Sequence, residues 1–164
     1  WPGRTCWAKE AMEDLFSLKQ AVHAACTLNL RERILHAEAG MEEARLSGLS
    51  DTKSSAGDKH ETARAMAQQE LEKQATALQH LQTMEALLMR IDPTRRFSRV
   101  MPGSLVSTDQ GLFYVSIALG KMEVEGNMVM AISMQAPILT LLSTLAVGGS
   151  GTFNGRQQHL LAIV

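Results

Sequence analysis

The stretch DPTRRFSRVMPG, Asp92–Gly103, divides the chain into halves of different character. Pro93, Pro102 and Gly103 bracket a basic segment, and because a proline disfavours helical geometry in the residue before it, Asp92 marks a helix stop. Residues 93–102 therefore read as an interdomain linker.

Upstream, Val22, Cys26, Leu30, Ile34, Ala37, Met41 and Ala44 recur at steps of three and four, which draws one apolar stripe along a helix from Ala11 to Leu46. After a break between Gly48 and Gly57, a second stripe runs through Leu71, Ala75, Leu78, Leu81, Met84, Leu88 and Ile91. Two helices of about 30 residues with narrow seams, joined by a polar turn, predict an antiparallel coiled-coil hairpin about 45 Å long. The hairpin is expected over 11–92 with its tip at 48–63, and residues 1–10 are expected to be disordered or the edge of a fragment.

Downstream the period changes. SLVST, LFYVSIAL, MVMAIS and QQHLLAIV are short β-branched or aromatic runs separated by turn residues. Asn154-Gly155 between Phe153 and Arg156 is a hairpin signal, because both residues tolerate positive φ, and Pro137 suits the first turn of a helix in PILTLLSTL. Residues 103–164 thus predict a small antiparallel sheet with one short helix, and the fold class is α+β.

Charge and composition narrow the functional classes. Sixteen Lys and Arg against 17 Asp and Glu give no global field that would recommend nucleic acid or membrane as a partner. Cys6 and Cys26 form no zinc or redox motif, which fits a reducing cytoplasm. The apolar run Ala131–Val147 falls short of the roughly 20 residues a spanning helix needs and is interrupted by Gln135 and Pro137, so no membrane association is expected. Hydrolase, phosphate-loop and zinc-protease signatures are missing, and GGSGTFNG reads as turns.

The candidate chemistry lies in KSSAGDKHETA, Lys53–Ala63, between the two helices. Asp58 and Glu61 fit D-x-x-E, a helix start in which the first side chain caps a free N–H, the second reaches back, and both complement the dipole. Ser55 with Asp58 offers the same arrangement one turn earlier. Capping is the reading these residues support by themselves. It leaves unexplained why carboxylates crowd with Lys53, Lys59 and Arg64 at the far end of a projecting hairpin. His60 beside the acid pair is a weak basis for a stable metal site.

GDKHETA, a helix closing at RIDP, then VMPGSLV and ISMQAPILTLL, in this order, resemble the Gre family of bacterial transcript-cleavage factors over roughly Leu18–Val164. The family's tip motif, G-D-x-x-E-N-A, is similar at Gly57, Asp58, Glu61 and Ala63, and its S-x-x-S-P-I element at Ser133, Ala136, Pro137 and Ile138. Thr62 stands where the motif has Asn, Ala65 lies near the place of an aromatic, and Ser143-Thr144 and Gly148-Gly149 stand where Gly-Lys and Gly-Asp often follow, as in a divergent branch.

The resemblance implies a cofactor protein rather than an enzyme. It implies a hairpin inserted in the secondary channel of RNA polymerase, with Asp58 and Glu61 helping to hold an Mg²⁺ shared with the polymerase as nascent, backtracked RNA is cut. It also implies an FKBP-like C-terminal domain docked at the channel rim, and a monomer; Lys53, Lys59 and Arg64 are candidate contacts to RNA or polymerase. The alternative is a channel-binding regulator or inhibitor of the same shape without cleavage stimulation. A coiled-coil adaptor that dimerises through its seams is a further reading. Prolyl isomerisation is disfavoured, because Tyr114 is the only tyrosine and other aromatics are few for a proline pocket.

Overall fold

The computed structural model describes the backbone of residues 3–51 and 57–164, and the side chains of 8–49, 57, 59 and 61–164. The element order is α1 (Gly3–Asp51), α2 (Gly57–Met89), β1 (Leu105–Thr108), β2 (Gly111–Ser116), β3 (Gly120–Val124), β4 (Asn127–Ser133), α3 (Pro137–Leu142), β5 (Ser150–Phe153) and β6 (Arg156–Ile163). The class is α+β, with long helices followed by a six-stranded sheet and one short helix. Two compact units are formed, Leu28–Ala86 and Trp1–Thr27 with Leu87–Val164.

In the unit Leu28–Ala86 the half-buried positions of α1 include Ile34, Ala37, Met41, Ala44 and Gly48, and those of α2 include Ala63, Ala67, Leu71, Gln74, Leu78 and Leu81. Steps of three and four are the coiled-coil rhythm. A Cβ added at Gly40 would lie 3.6 Å from Gln74 Oε1, and one at Gly48 would lie 3.8 Å from Ala67 Cβ. Moving forward along α1 therefore moves backward along α2, and the pairing is antiparallel. Ala75, read from sequence as a seam residue, is exposed, and Gln74 takes its place. The phase of the heptad decides this: Gln74, not Ala75, faces Gly40 across the seam, and its Nε2 donates to Glu70 Oε1 at 2.7 Å.

Both helices are longer than the sequence suggested. α1 begins at Gly3, ahead of the expected Ala11, because Ala8, Lys9, Glu10 and Ala11 are strong helix formers with no breaker among them. It also runs through Gly48, which faces Ala67 across the pair. α2 begins at Gly57, so Asp58 and Glu61 lie within the helix rather than in a turn before it. At the other end α2 stops at Met89, and the N–H groups of Arg90 and Ile91 bond to the carbonyls of Leu87 and Leu88 at 3.2 and 3.1 Å, a tightened last turn ahead of Asp92-Pro93.

In the other unit the sheet order is β3-β4-β2-β1-β6-β5. Four pairings are antiparallel, as expected, and β2 pairs with β4 in parallel. That exception arises because the chain leaves β2 past the end of β4, forms β3 at the edge, and turns back at Glu125-Gly126 to place β4 beside β2. Two strands were not legible: β3, whose Lys121 and Glu123 suit an edge, and β5, which lies inside the glycine cluster read as turns. Gly151 in β5 serves a packing need, since a Cβ there would sit 2.5 Å from Leu141 Cδ1 of α3. The Asn154-Gly155 hairpin forms as expected, with φ of 48° and 75°.

One sheet face carries Val106, Val115, Leu160 and Ile163 against Leu139 and Leu142 of α3, with Val100 and Phe97 closing the cluster. Pro137 opens α3, and the Ala136 N–H bonds to the Ser133 carbonyl at 3.0 Å. Successive strand residues face opposite ways, so Tyr114 points to the other face. There it shares a 2.8 Å hydrogen bond with His23 Nδ1 of α1, and Cys26 Sγ lies 3.7 Å from Met122 Sδ.

Residues 93–102, read from sequence as a linker, lie inside this unit and are tied to α1. The buried Lys19 ammonium donates to the Arg95 carbonyl and sits 5.2 and 5.0 Å from the ring centres of Phe16 and Phe97. Arg96 bonds both carboxylate oxygens of Glu13, at 2.9 and 2.8 Å, and lies 3.9 Å from the Phe16 ring centre. Gly103, at φ 96°, donates to the Val115 carbonyl at 2.7 Å and leaves space for Ile91 and Phe97, which a Cβ would meet at 2.9 and 3.3 Å.

Candidate functional site

The candidate site is the end of the helical unit where α1 stops and α2 starts. Position 58 is in the first turn of α2, and Glu61 follows one helical step later, fully within the helix. Glu61 is exposed and turned away from the Ala63, Ala67 and Leu71 seam. Lys59 and Arg64 are exposed in the same turns of α2, and Lys59, Thr62, Ala63 and Met66 line an open concavity of about 430 Å³. Lys53 and Ser55 lie outside the described residues, as do the side chains of Asp58 and His60. Among the described residues no group of three or more His, Cys, Asp and Glu could hold a metal by itself.

Elsewhere the structure assembles polar groups that sequence reasoning missed. Asp109, in the β1–β2 turn, accepts the backbone N–H of His159 at 2.8 Å and lies 2.9 Å from its Nδ1, and these contacts hold its carboxyl below the ordinary value. Their separation of 50 residues hides the pair in sequence. Burial holds the His23 imidazole below its ordinary value, in keeping with a neutral ring bonded to Tyr114. Lys19 could have been noticed, because it lies one step before Val22 on the first stripe, where a coiled-coil seam wants an apolar side chain.

Lys19 supplies a pH test. Burial first, and the Arg96 charge second, lower its pKa from 10.5 to about 8. Below pH 8 both folded and unfolded chains carry the proton. Between pH 8 and 10.5 the unfolded chain holds it more firmly, so this group makes stability rise with pH. Cys26 acts in the opposite sense from pH 9, because burial raises its thiol from 9.0 to about 11. Urea unfolding of wild type and Lys19→Met at pH 7, 8 and 9 separates the two: the stability of wild type relative to the variant should rise with pH, since the Cys26 contribution is common to both. A constant difference would show that the ammonium is not confined as described.

No helix of the described residues is long and apolar enough to cross a membrane. Comparison with family models, with curated proteins and with solved structures returned no match.

Proposed function

We propose that this chain is a transcript-cleavage factor of the Gre type, a bacterial elongation factor that acts on RNA polymerase rather than an enzyme in its own right. The observation that carries the reading is an exposed acid, Glu61, one step beyond Asp58 at the start of α2, at the end of an antiparallel helical pair. Support also comes from the order of elements: a helical hairpin precedes an α+β domain whose Pro137 helix packs on the sheet, the arrangement the resemblance implies. The FKBP-like character of that domain, its docking at the channel rim and a cytoplasmic setting belong to the same proposal.

Hard carboxylate oxygens on one short helical stretch suit Mg²⁺, which is commonly held by one or two protein carboxylates together with substrate oxygens. Asp58 and Glu61 would hold it jointly with the polymerase, and a second metal supplies charge stabilisation to attacking and leaving oxygens in phosphoryl displacement. The chain's own part is to supply two carboxylates from positions 58 and 61, both within the first turns of α2. Lys59 and Arg64 flank them as candidate contacts to RNA phosphates or to the polymerase.

The test is a stalled, backtracked complex of bacterial RNA polymerase with 3′-labelled and 5′-labelled RNA. Addition of the protein should shorten the 5′-labelled transcript and release a short 3′ fragment, and the shortened RNA should extend when nucleotides are supplied. Binding at the channel without shortening would instead support the inhibitor reading, and the absence of both would remove the polymerase assignment.

A further inference from the structure

The outer faces of the two long helices are unlike. Turned away from its seam, α2 presents Gln69, Glu72, Thr76, Gln79 and Thr83, all exposed and polar, as a solvated hairpin should. α1 instead presents Leu28, Leu35, Ala39 and Leu46 on the side opposite Leu30, Ile34, Ala37 and Met41. The three leucines are 62%, 65% and 53% exposed. Steps of seven, four and seven residues keep them in line along a straight helix at 100° per residue, so they form a ridge about 27 Å long. α1 therefore carries an apolar line on the side opposite its seam, narrow because Glu32 and Glu42 lie about 40° to either side of it, while α2 covers the seam side.

The charges beside the ridge indicate what fits it. One flank carries Glu32 and Glu43, with His36 between them, and is acidic. On the other flank Arg31 and Arg45 are balanced by Glu38 and Glu42, and Arg45 is already paired with Glu42 at 2.7 Å. A second copy laid antiparallel, with Leu28 opposite Leu46 and Leu35 opposite Ala39, would bring the acidic flanks together, placing Glu32 beside Glu43 in each half. Like charges so placed oppose association. A helix with leucine-like side chains at the same spacing and Lys or Arg along one edge meets both the ridge and the acidic flank.

We infer that the outer face of α1, from Leu28 to Leu46, is a docking ridge for an amphipathic helix of a partner protein, apolar along its contact line and basic along one edge. The ridge lies on the other helix from the acid pair, and the inference does not depend on that pair.

A fluorescent synthetic helix with leucines at the ridge spacing and lysines along one edge is the probe, and the same helix with glutamates in place of the lysines is its control. Anisotropy titrations with the full chain at low salt should show the lysine probe binding about fivefold to tenfold more tightly, with the gap closing as salt is raised. Leu35→Glu combined with Leu46→Glu should weaken lysine-probe binding by at least about 100-fold. It should leave the melting temperature unchanged, because both residues lie away from the seam. Equal binding of the two probes, or undiminished binding to the double variant, would overturn the inference. So would a dimer in sedimentation equilibrium that the double variant abolishes, since the ridge would then belong to a second copy.

Discussion

Asp58→Asn and Glu61→Gln should each reduce stimulation of transcript cleavage by at least about 10- to 100-fold, the loss that follows removal of even an outer partner of a metal ligand, while polymerase binding is retained. The substitutions are chosen to separate charge from capping. Asn caps about as well as Asp, Gln serves in a capping box as Glu does, and the lost attraction to the helix dipole is worth only about 0.3–1 kcal/mol. Each variant should therefore compete with wild type for the polymerase channel and melt within a few degrees of it. Excess Mg²⁺ should restore part of the stimulation, since a weakened site refills by mass action. Normal stimulation by both variants would return the pair to a capping role; binding and stimulation falling together with the melting temperature would point the same way.

Leu142→Ala should lower stability by about 2–5 kcal/mol. The side chain is completely buried between α3 and the sheet, among Val106, Val115 and Leu160, and α3 is a helix of six residues that depends on such packing to exist. Leu78→Ala, in the half-buried seam of the hairpin, should cost clearly less, because a two-helix interface leaves part of the side chain in water. Urea unfolding followed by circular dichroism measures both. Equal losses would mean that the seam excludes water as fully as the sheet core does, and a negligible loss at Leu142 would contradict the burial of α3.

The long helices were legible because their signal is local and repeated. Leu30, Ile34, Ala37, Met41 and Ala44 mark the seam of α1 by spacing alone, and Asp92-Pro93 marks where α2 must end. The Asn154-Gly155 turn and Pro137 at the start of α3 are equally local, since each depends on the φ preference of one or two residues. Asp58 and Glu61 were singled out by pattern and resemblance, and their position in the first turns of α2 follows from where that helix begins.

What required tertiary structure depends on residues far apart in the chain. Whether Gln74 or Ala75 enters the seam depends on which of them faces α1 near Gly40, across the hairpin. β5 pairs as a strand because Arg156–Ile163 supplies its hydrogen-bonding partners and Gly151 makes room for Leu141, so its glycines mark a close approach as well as turns. The parallel pairing of β2 with β4 is a property of the chain path. Lys19 is held where a sequence rule puts an apolar residue, because the Arg95 carbonyl and the faces of Phe16 and Phe97 replace part of the water its ammonium gives up. Sequence determines periodicity, turn preference and charge at each position; only the folded chain decides which distant groups satisfy one another, because hydrogen bonding, close packing and desolvation act across space irrespective of separation along the chain.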